Sequence, residues 1–263
     1  MDDPCRTGPR PPPEVQTEMQ SRPRIRPWVL LLPALPAFIA LATSTISGQN
    51  APDNLPNRLT SEERRDGWQL LFDGQSTRGW RGFKQKVVPR GWVVQDGELV
   101  RAASGGDLIT LKAYRNFELA LEWKISSGGN SGIMYRVTED GEATYETGPE
   151  MQVLDDAKHP DGKSRLTSAG ACYGLYPSPA GVVHPAGEWN RVRIVVRGNH
   201  VEHWLNDVKV VEYELGSPDW EAKVAASKFA QWKGYGRAPG GYIALQDHGD
   251  RVEYRSIRIR ELP

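Results

Sequence analysis

Cysteine is almost missing from this chain: of 263 residues only Cys5 and Cys172 carry a thiol. Two thiols exclude a disulfide framework and a cysteine-based zinc site, the more so because Cys5 falls in a segment read below as removable. Cys172, between Ala171 and Tyr173, reads as a small buried residue. Excess charge is missing too. Lys plus Arg and Asp plus Glu each number 33, which removes any whole-protein argument for a nucleic-acid or acidic partner and sends the search to a local site. There is no internal repeat and no long run of like charge. A glycine-rich phosphate loop, a dinucleotide fingerprint, a His-Glu-x-x-His helix and a Gly-x-Ser-x-Gly elbow are all absent, so the chemistries that need them are set aside.

What is present begins with one uncharged run, Trp28 to Ser47, behind a segment rich in Pro and Arg. Arg22, Arg24 and Arg26 before it, and Ala42, Ser44 and Ser47 at its end, give residues 1–48 the layout of a leader with a secretory signal. Translation from Met19 would give it an ordinary signal length. The alternative is an uncleaved anchor through residues 28–47, long enough to span a bilayer but interrupted by Pro33 and Pro36. No Cys follows the run, so lipid attachment has no acceptor. The expectation is an exported protein, periplasmic or extracellular, with a membrane as partner only if the leader is retained. Residues 49–63, with Pro52 and Pro56, read as a linker, and residues 64–263 as the folded domain.

Within that domain short alternating runs are bounded by Gly, Asp and Asn. Thr60 or Ser61 caps a brief helical turn through Arg65, and Trp68 to Phe72 starts the first strand. Asp96-Gly97 joins Trp92–Gln95 to Glu98–Arg101 as a hairpin. Phe117 to Ile125 puts Phe117, Leu119, Leu121, Trp123 and Ile125 on one face and Glu118, Ala120, Glu122 and Lys124 on the other. In Ser131 to Val137, Gly132, Met134 and Arg136 share a face; in Glu150 to Leu154, Glu150 and Gln152 oppose Met151 and Val153. Asn190–Arg197, Val201–Leu205 and Val208–Tyr213 form a meander with Val192, Ile194 and Val196 inward. Pro218 to Trp232 is the one clear helical candidate, and Val252 to Arg260 closes the domain with Ile257 and Ile259 in the core. About a dozen strands with one short inserted helix predict an all-β sandwich or jelly roll of two sheets.

The polar faces point to a site. In Gly241 to Gly249, alternation places Tyr242, Ala244, Gln246 and His248 together and Ile243 and Leu245 behind them. Glu150, Gln152, Gln246 and His248, with Glu122 and Arg136 as neighbours, offer a base, amides and a cation. Each also has a bland reading: Glu122 and Arg136 as a surface ion pair, Gln152 as a solvated strand residue. Trp232 and Tyr235, in the loop before the focal strand, are candidates to stack on a sugar ring. A conventional pair of glycosidase carboxylates does not form, because Glu150 and Asp155 alternate to opposite faces.

The ordered series Leu71-Phe72-Asp73-Gly74, Trp80, Asp96-Gly97, Phe117-Glu118-Leu119, Gly129-Asn130-Ser131-Gly132-Ile133, Glu150 to Asp155, Gly187-Glu188-Trp189-Asn190 and Leu245 to Gly249 resembles the bacterial 3-keto-disaccharide hydrolase domain family. That family is also described as a 3-keto-glucoside 1,2-lyase and 3-keto-2-hydroxy-glucal hydratase domain. The resemblance runs from about Asp66 to Leu262 and implies a concanavalin-like jelly-roll sandwich of two antiparallel sheets. One departure is Ser256, where the family often has Asn.

The resemblance further implies a 3-keto sugar or glycoside as substrate and an enzyme that oxidises C3 as functional partner. A ketone at C3 acidifies C2–H, so its removal expels the C1 aglycone and water then adds to the enone. On this reading Glu150 and His248, with Glu122 as a further candidate base, transfer protons; Arg136 or a bound divalent metal ion stabilises the enolate. Asn130, Gln152 and Gln246 hold sugar hydroxyls, and Asp247 orients His248 or reaches the metal. The competing classes are a non-catalytic carbohydrate-binding module and a cell-surface interaction domain, since fold alone does not fix function.

Overall fold

The computed structural model describes residues 55–263; the expected leader and residues 49–54 of the expected linker lie outside them. The first helix, α1 (Ser61–Arg65), is set by a capping box: Thr60 Oγ1 accepts from the Glu63 N–H at 3.0 Å and Glu63 Oε2 from the Thr60 N–H at 2.8 Å. This segment is tied to the body. Asn57 Oδ1 accepts from the Ser256 N–H at 2.8 Å, Asn57 Nδ2 donates to the Gly97 carbonyl at 2.7 Å, and Glu63 pairs with Arg258 at 2.9 Å. The folded body therefore begins ahead of the expected boundary at residue 64.

The protein is a two-sheet antiparallel β-sandwich. The larger sheet runs β11 (Val208–Glu214), β10 (His200–Leu205), β9 (Asn190–Arg197), β6 (Phe117–Ile125), β13 (Val252–Glu261), β4 (Glu98–Arg101) and β3 (Trp92–Gln95), with β1 (Gln69–Leu70) on β13. The smaller runs β2 (Trp80–Gly82), β5 (Leu108–Thr110), β12 (Tyr242–Leu245), β7 (Asn130–Val137) and β8 (Glu150–Leu154). Positive φ at Asp96 and Gly97, 53° and 80°, gives the β3–β4 hairpin the twist its strands require. Alternation fills the interior as expected: Phe117, Leu119, Leu121, Trp123 and Ile125 from β6 and Val192, Ile194 and Val196 from β9 share one core with Ile133, Met151, Val153, Ile243 and Leu245 of the smaller sheet. Each such burial contributes roughly 1.5–3 kcal/mol.

Three expectations shift. The strand over Trp68–Phe72 shrinks to β1, because Leu71 and Phe72 both donate to the one carbonyl of Ile257 and the ladder cannot continue. The crowding originates in a bulge of β13, where three steps from Arg255 to Arg258 face two on β6, with Ser256 at φ 54°. The helix over Pro218–Trp232 ends early as α2 (Pro218–Ala225). Ser227 Oγ donates to the Val224 carbonyl at 2.9 Å and accepts from the Phe229 N–H at 3.1 Å, closing the helix and opening a separate 3-10 turn, Lys228–Gln231. The third shift is a bulge in β7, opposite Tyr242–Ala244, with Arg136 at φ 55°. It breaks the alternation that put Arg136 beside Met134.

Candidate active site

Facing away from the core, the middle of the smaller sheet carries two rows of side chains. Gln246 donates its backbone N–H to Gly132, and Gly132 pairs with Gln152, so two carboxamides flank a glycine across three strands. In the next row Ala244 pairs with Met134, and Met134 with Glu150. Gly132 is required for space: a Cβ there would lie 1.9 Å from Glu150 Oε1, so the carboxyl leans over the glycine between the two amides.

Around this floor closes a pocket of about 120 Å³ lined by Asn130, Tyr145, Glu150, Gln152, Tyr173, Lys228, Gln246 and His248. A bridge between Met151 and Cys172 lays the chain along β8, where the Tyr173 N–H donates to the Glu150 carbonyl at 3.0 Å. Tyr173 Oη then donates to Asp161 Oδ2 at 3.1 Å, and the Lys228 ammonium sits 4.5 Å from the Tyr173 ring centre. The short turn opened by Ser227 thus delivers a cation to the pocket. His248 is exposed at the rim, its ring 6.4 Å from that of His159.

The electrostatics single out Glu150. It is 7% exposed, and burial pushes its carboxyl up from the ordinary 4.5 to about 8; Lys228 opposes the rise, while Asp107 and Asp161 add to it. Beside it, both polar atoms of Gln152, Oε1 of Gln246 and Oδ1 of Asn130 are buried with no hydrogen-bond partner, although Gln152 and Asn130 are only 1% and 3% exposed. Orphaned amides cost about 1–3 kcal/mol each unless a ligand supplies the missing bonds. Four such atoms gather on one small pocket, each with a hydrogen bond left to make.

His159 adds a constraint on Asn130. Its Nδ1 accepts from the Asp161 N–H at 3.1 Å, so the neutral ring carries its proton on Nε2, which lies 3.5 Å from the Asn130 amide. A proton on that nitrogen is matched by the amide oxygen rather than the nitrogen; the two ends of the Asn130 amide are then exchanged, and its unpartnered atom in the pocket is the NH₂ instead of Oδ1.

Glu150, Gln152, Gln246, Asn130 and His248 are therefore brought together, and the five other candidates are not. Arg136, displaced by the β7 bulge, is buried and donates to the Gly198 carbonyl in the β9–β10 turn. Glu122 lies on the outer face of the larger sheet, where Arg255 Nε donates to it at 2.6 Å. Nor do Glu122 and Arg136 form the surface ion pair of the alternative reading. Asp247 turns away from the pocket: Oδ1 accepts from Arg101 Nε at 2.6 Å, and Oδ2 from the N–H groups of Gly105 and Gly106 at 2.7 and 2.9 Å. Burial would raise its carboxyl, and the Gly106, Gly105 and Arg101 bonds outweigh that and lower it. Tyr235 is core, stacked on Trp220 and Phe229. Trp232 is outside the pocket wall and packs edge-on against Tyr145 at 5.5 Å. Asp155 accepts from the Gly128 and Ala157 N–H groups, which leaves Glu150 without a carboxylate partner from that loop.

The divalent ion has no set of three ligands in the pocket. Among the described residues the cluster with metal-like spacing is His200, Glu202 and Glu212, on the outer face of the other sheet, and Lys209 already bonds Glu212 there at 2.6 Å. Lys228, Tyr145, Tyr173 and His159 were missed by sequence reasoning. Tyr145 and Lys228 sit in single 3-10 turns, Lys228 within the stretch expected to be one helix, and Tyr173 and His159 in irregular chain, so no strand periodicity assigns them a face.

The 3-keto-alpha-glucoside-1,2-lyase-like domain matches residues 67–260. A 3-keto-disaccharide hydrolase of Bacteroides thetaiotaomicron is 38% identical over 229 residues, covering 75% of this chain and 79% of that protein. A crystal structure of a candidate glycosyl hydrolase from Parabacteroides distasonis superposes with a TM-score of 0.74 at 35% identity, covering 80% of this chain and all of the other. A second from the same organism gives 0.60 at 30% identity, over 74% of this chain and 99% of the other.

Proposed function

Because the chain belongs to the 3-keto-alpha-glucoside-1,2-lyase-like domain family, we propose that it cleaves 3-keto-glycosides by elimination followed by hydration. The chain is a carbohydrate-acting hydrolase by that membership; the proposal concerns how the bond breaks. The observation that carries it is a single buried carboxyl of raised pKa standing between unsatisfied amides, with no second carboxylate across the pocket.

Glu150, ionised, takes the C2 proton. The electron pair moves to the C3 oxygen as an enolate, which the Lys228 ammonium and the Asn130 NH₂ stabilise; Lys228 fills the part first expected of Arg136. Collapse of the enolate breaks the C1–O bond, and the departing oxygen takes a proton from Glu150, now an acid, or from His248 at the rim. Water adds to C1 of the enone and a proton returns to C2. A carboxyl titrating near neutrality suits both proton steps. Gln152 and Gln246 hold the ring hydroxyls. The substrate implies an oxidoreductase that installs the ketone, and we place both in an exported compartment on the strength of the leader's layout.

The test is release of the aglycone from 3-keto-trehalose or a simple 3-keto-glucoside by the wild type, Glu150→Gln and Lys228→Met. The expected losses are more than about 100-fold for Glu150→Gln and somewhat less for Lys228→Met, with partial recovery in Lys228→Arg. Binding without release by the wild type would instead favour a carbohydrate-binding module.

A further inference from the structure

The pocket is too small for a disaccharide. Its volume of about 120 Å³ falls below the roughly 300 Å³ at the low end of ligand sites, so a two-ring substrate extends beyond it across the mouth. What stands at the mouth is Tyr145, a large aromatic that is 38% exposed and yet lines the pocket.

Its surroundings hold it in place. Tyr145 belongs to the 3-10 turn Thr144–Glu146, which follows β7. Thr144 is fully buried and donates its hydroxyl to Asp107, while Thr147 Oγ1 accepts from the Thr138 N–H at 3.0 Å and donates to the Thr138 carbonyl at 3.2 Å. The ring meets Trp232 edge-on at 5.5 Å, and Trp232 in turn packs on Phe229 at 6.2 Å. Thr144 before the ring and Thr147 two residues after it are held by these bonds, one side of the ring is braced by Trp232, and the side chain stays partly exposed. An exposed aromatic with this little freedom stacks on an apolar sugar face at low entropic cost.

We propose that Tyr145, braced by Trp232, is the platform for the leaving group, and that the enzyme thereby prefers substrates whose aglycone is a second pyranose over those with a small alkyl aglycone. The Trp232 role expected from sequence is moved: Tyr145 meets the sugar and Trp232 supports it. This rests on the elimination reading for which ring is oxidised, but not for the existence of the platform.

Two measurements keep the readings apart. In turnover, Tyr145→Ala raises KM for a 3-keto-disaccharide about five- to tenfold more than it raises KM for a 3-keto methyl glucoside, with the effect in KM rather than kcat; Tyr145→Phe behaves as wild type. In calorimetry with the unoxidised disaccharide and methyl glucoside, the same substitution weakens the disaccharide by the larger factor. Equal loss on both ligands, or none on either, overturns the platform. Loss of disaccharide binding in a protein that cleaves neither 3-keto compound upholds the platform and removes the elimination reading.

Discussion

Glu150 is the residue on which the chemistry turns, and its burial makes a pH signature. With its pKa at about 8, roughly a tenth of the carboxyls are ionised at pH 7. If this group is the base, kcat/KM of the free enzyme rises with pH through a midpoint near 8, and a base of ordinary pKa would instead give a plateau from about pH 5. Stability runs the other way. The folded protein holds this proton more tightly than the unfolded chain, whose carboxyl titrates at the ordinary 4.5. The contribution is therefore greatest below pH 4.5 and is lost as pH rises through 8. Glu150→Gln, which cannot ionise, is expected to gain stability over the wild type at pH 8.5 but not at pH 4.5, measured as the difference in Tm between the two buffers. The variant is then inactive and, at alkaline pH, more stable, a combination that a merely structural residue does not produce.

Elements explain both what the sequence made visible and what it hid. Strand alternation grouped Glu150 with Gln152, and Gln246 with Ala244, because β8 is regular over its two positions and the bond from the Gln246 N–H to the Gly132 carbonyl carries the pairing of β12 one residue past Leu245. It misplaced Arg136 because one extra residue in β7 shifts everything after it. It also could not see that Asp247, at the end of β12, closes onto Arg101 and the Gly105–Gly106 loop, a contact more than a hundred residues away. The departure at Ser256 has an element-level meaning: the position is the left-handed residue of the β13 bulge, where Asn is tolerated better than Ser. Gly132 carries the element-scale prediction. Gly132→Ala puts a methyl group where the Glu150 carboxyl lies, and the flexible end of that side chain moves rather than the strand. The variant is expected to fold with a loss of no more than about 1–3 kcal/mol while kcat falls about 100-fold. Thermal denaturation beside steady-state kinetics checks both halves, and unchanged kcat would mean that Glu150 is not held in its working position by this glycine.

At the scale of the whole molecule, one sandwich separates structure from chemistry by face. Between the sheets lies the apolar core, with His203 fully buried and pushed down to about 4 by burial, its Nε2 bonded to Tyr135 at 2.8 Å. The outer face of the larger sheet is a mesh of paired charges, Glu118 with Arg193 and Arg260, Glu122 with Arg255. The outer face of the smaller sheet holds the pocket. The two-sheet architecture was legible because it rests on period-two patterning and turn residues, which are local. The pocket's walls were not, because Tyr145, Tyr173 and Lys228 come from loops whose placement depends on the finished fold. The central claim is that the C1–O bond breaks after loss of the C2 proton, not by direct attack at C1. The measurement that tests it most directly is turnover of a 3-keto-glycoside in deuterium oxide, with the product examined by NMR against an enzyme-free control for exchange of the released sugar. Elimination and hydration predict a solvent deuteron at C2 of the product, in every molecule where Glu150 has passed its proton to the departing oxygen, and a primary isotope effect when C2 is deuterated in the substrate. A product that keeps its original C2 hydrogen, formed at a rate indifferent to deuterium there, would contradict the account.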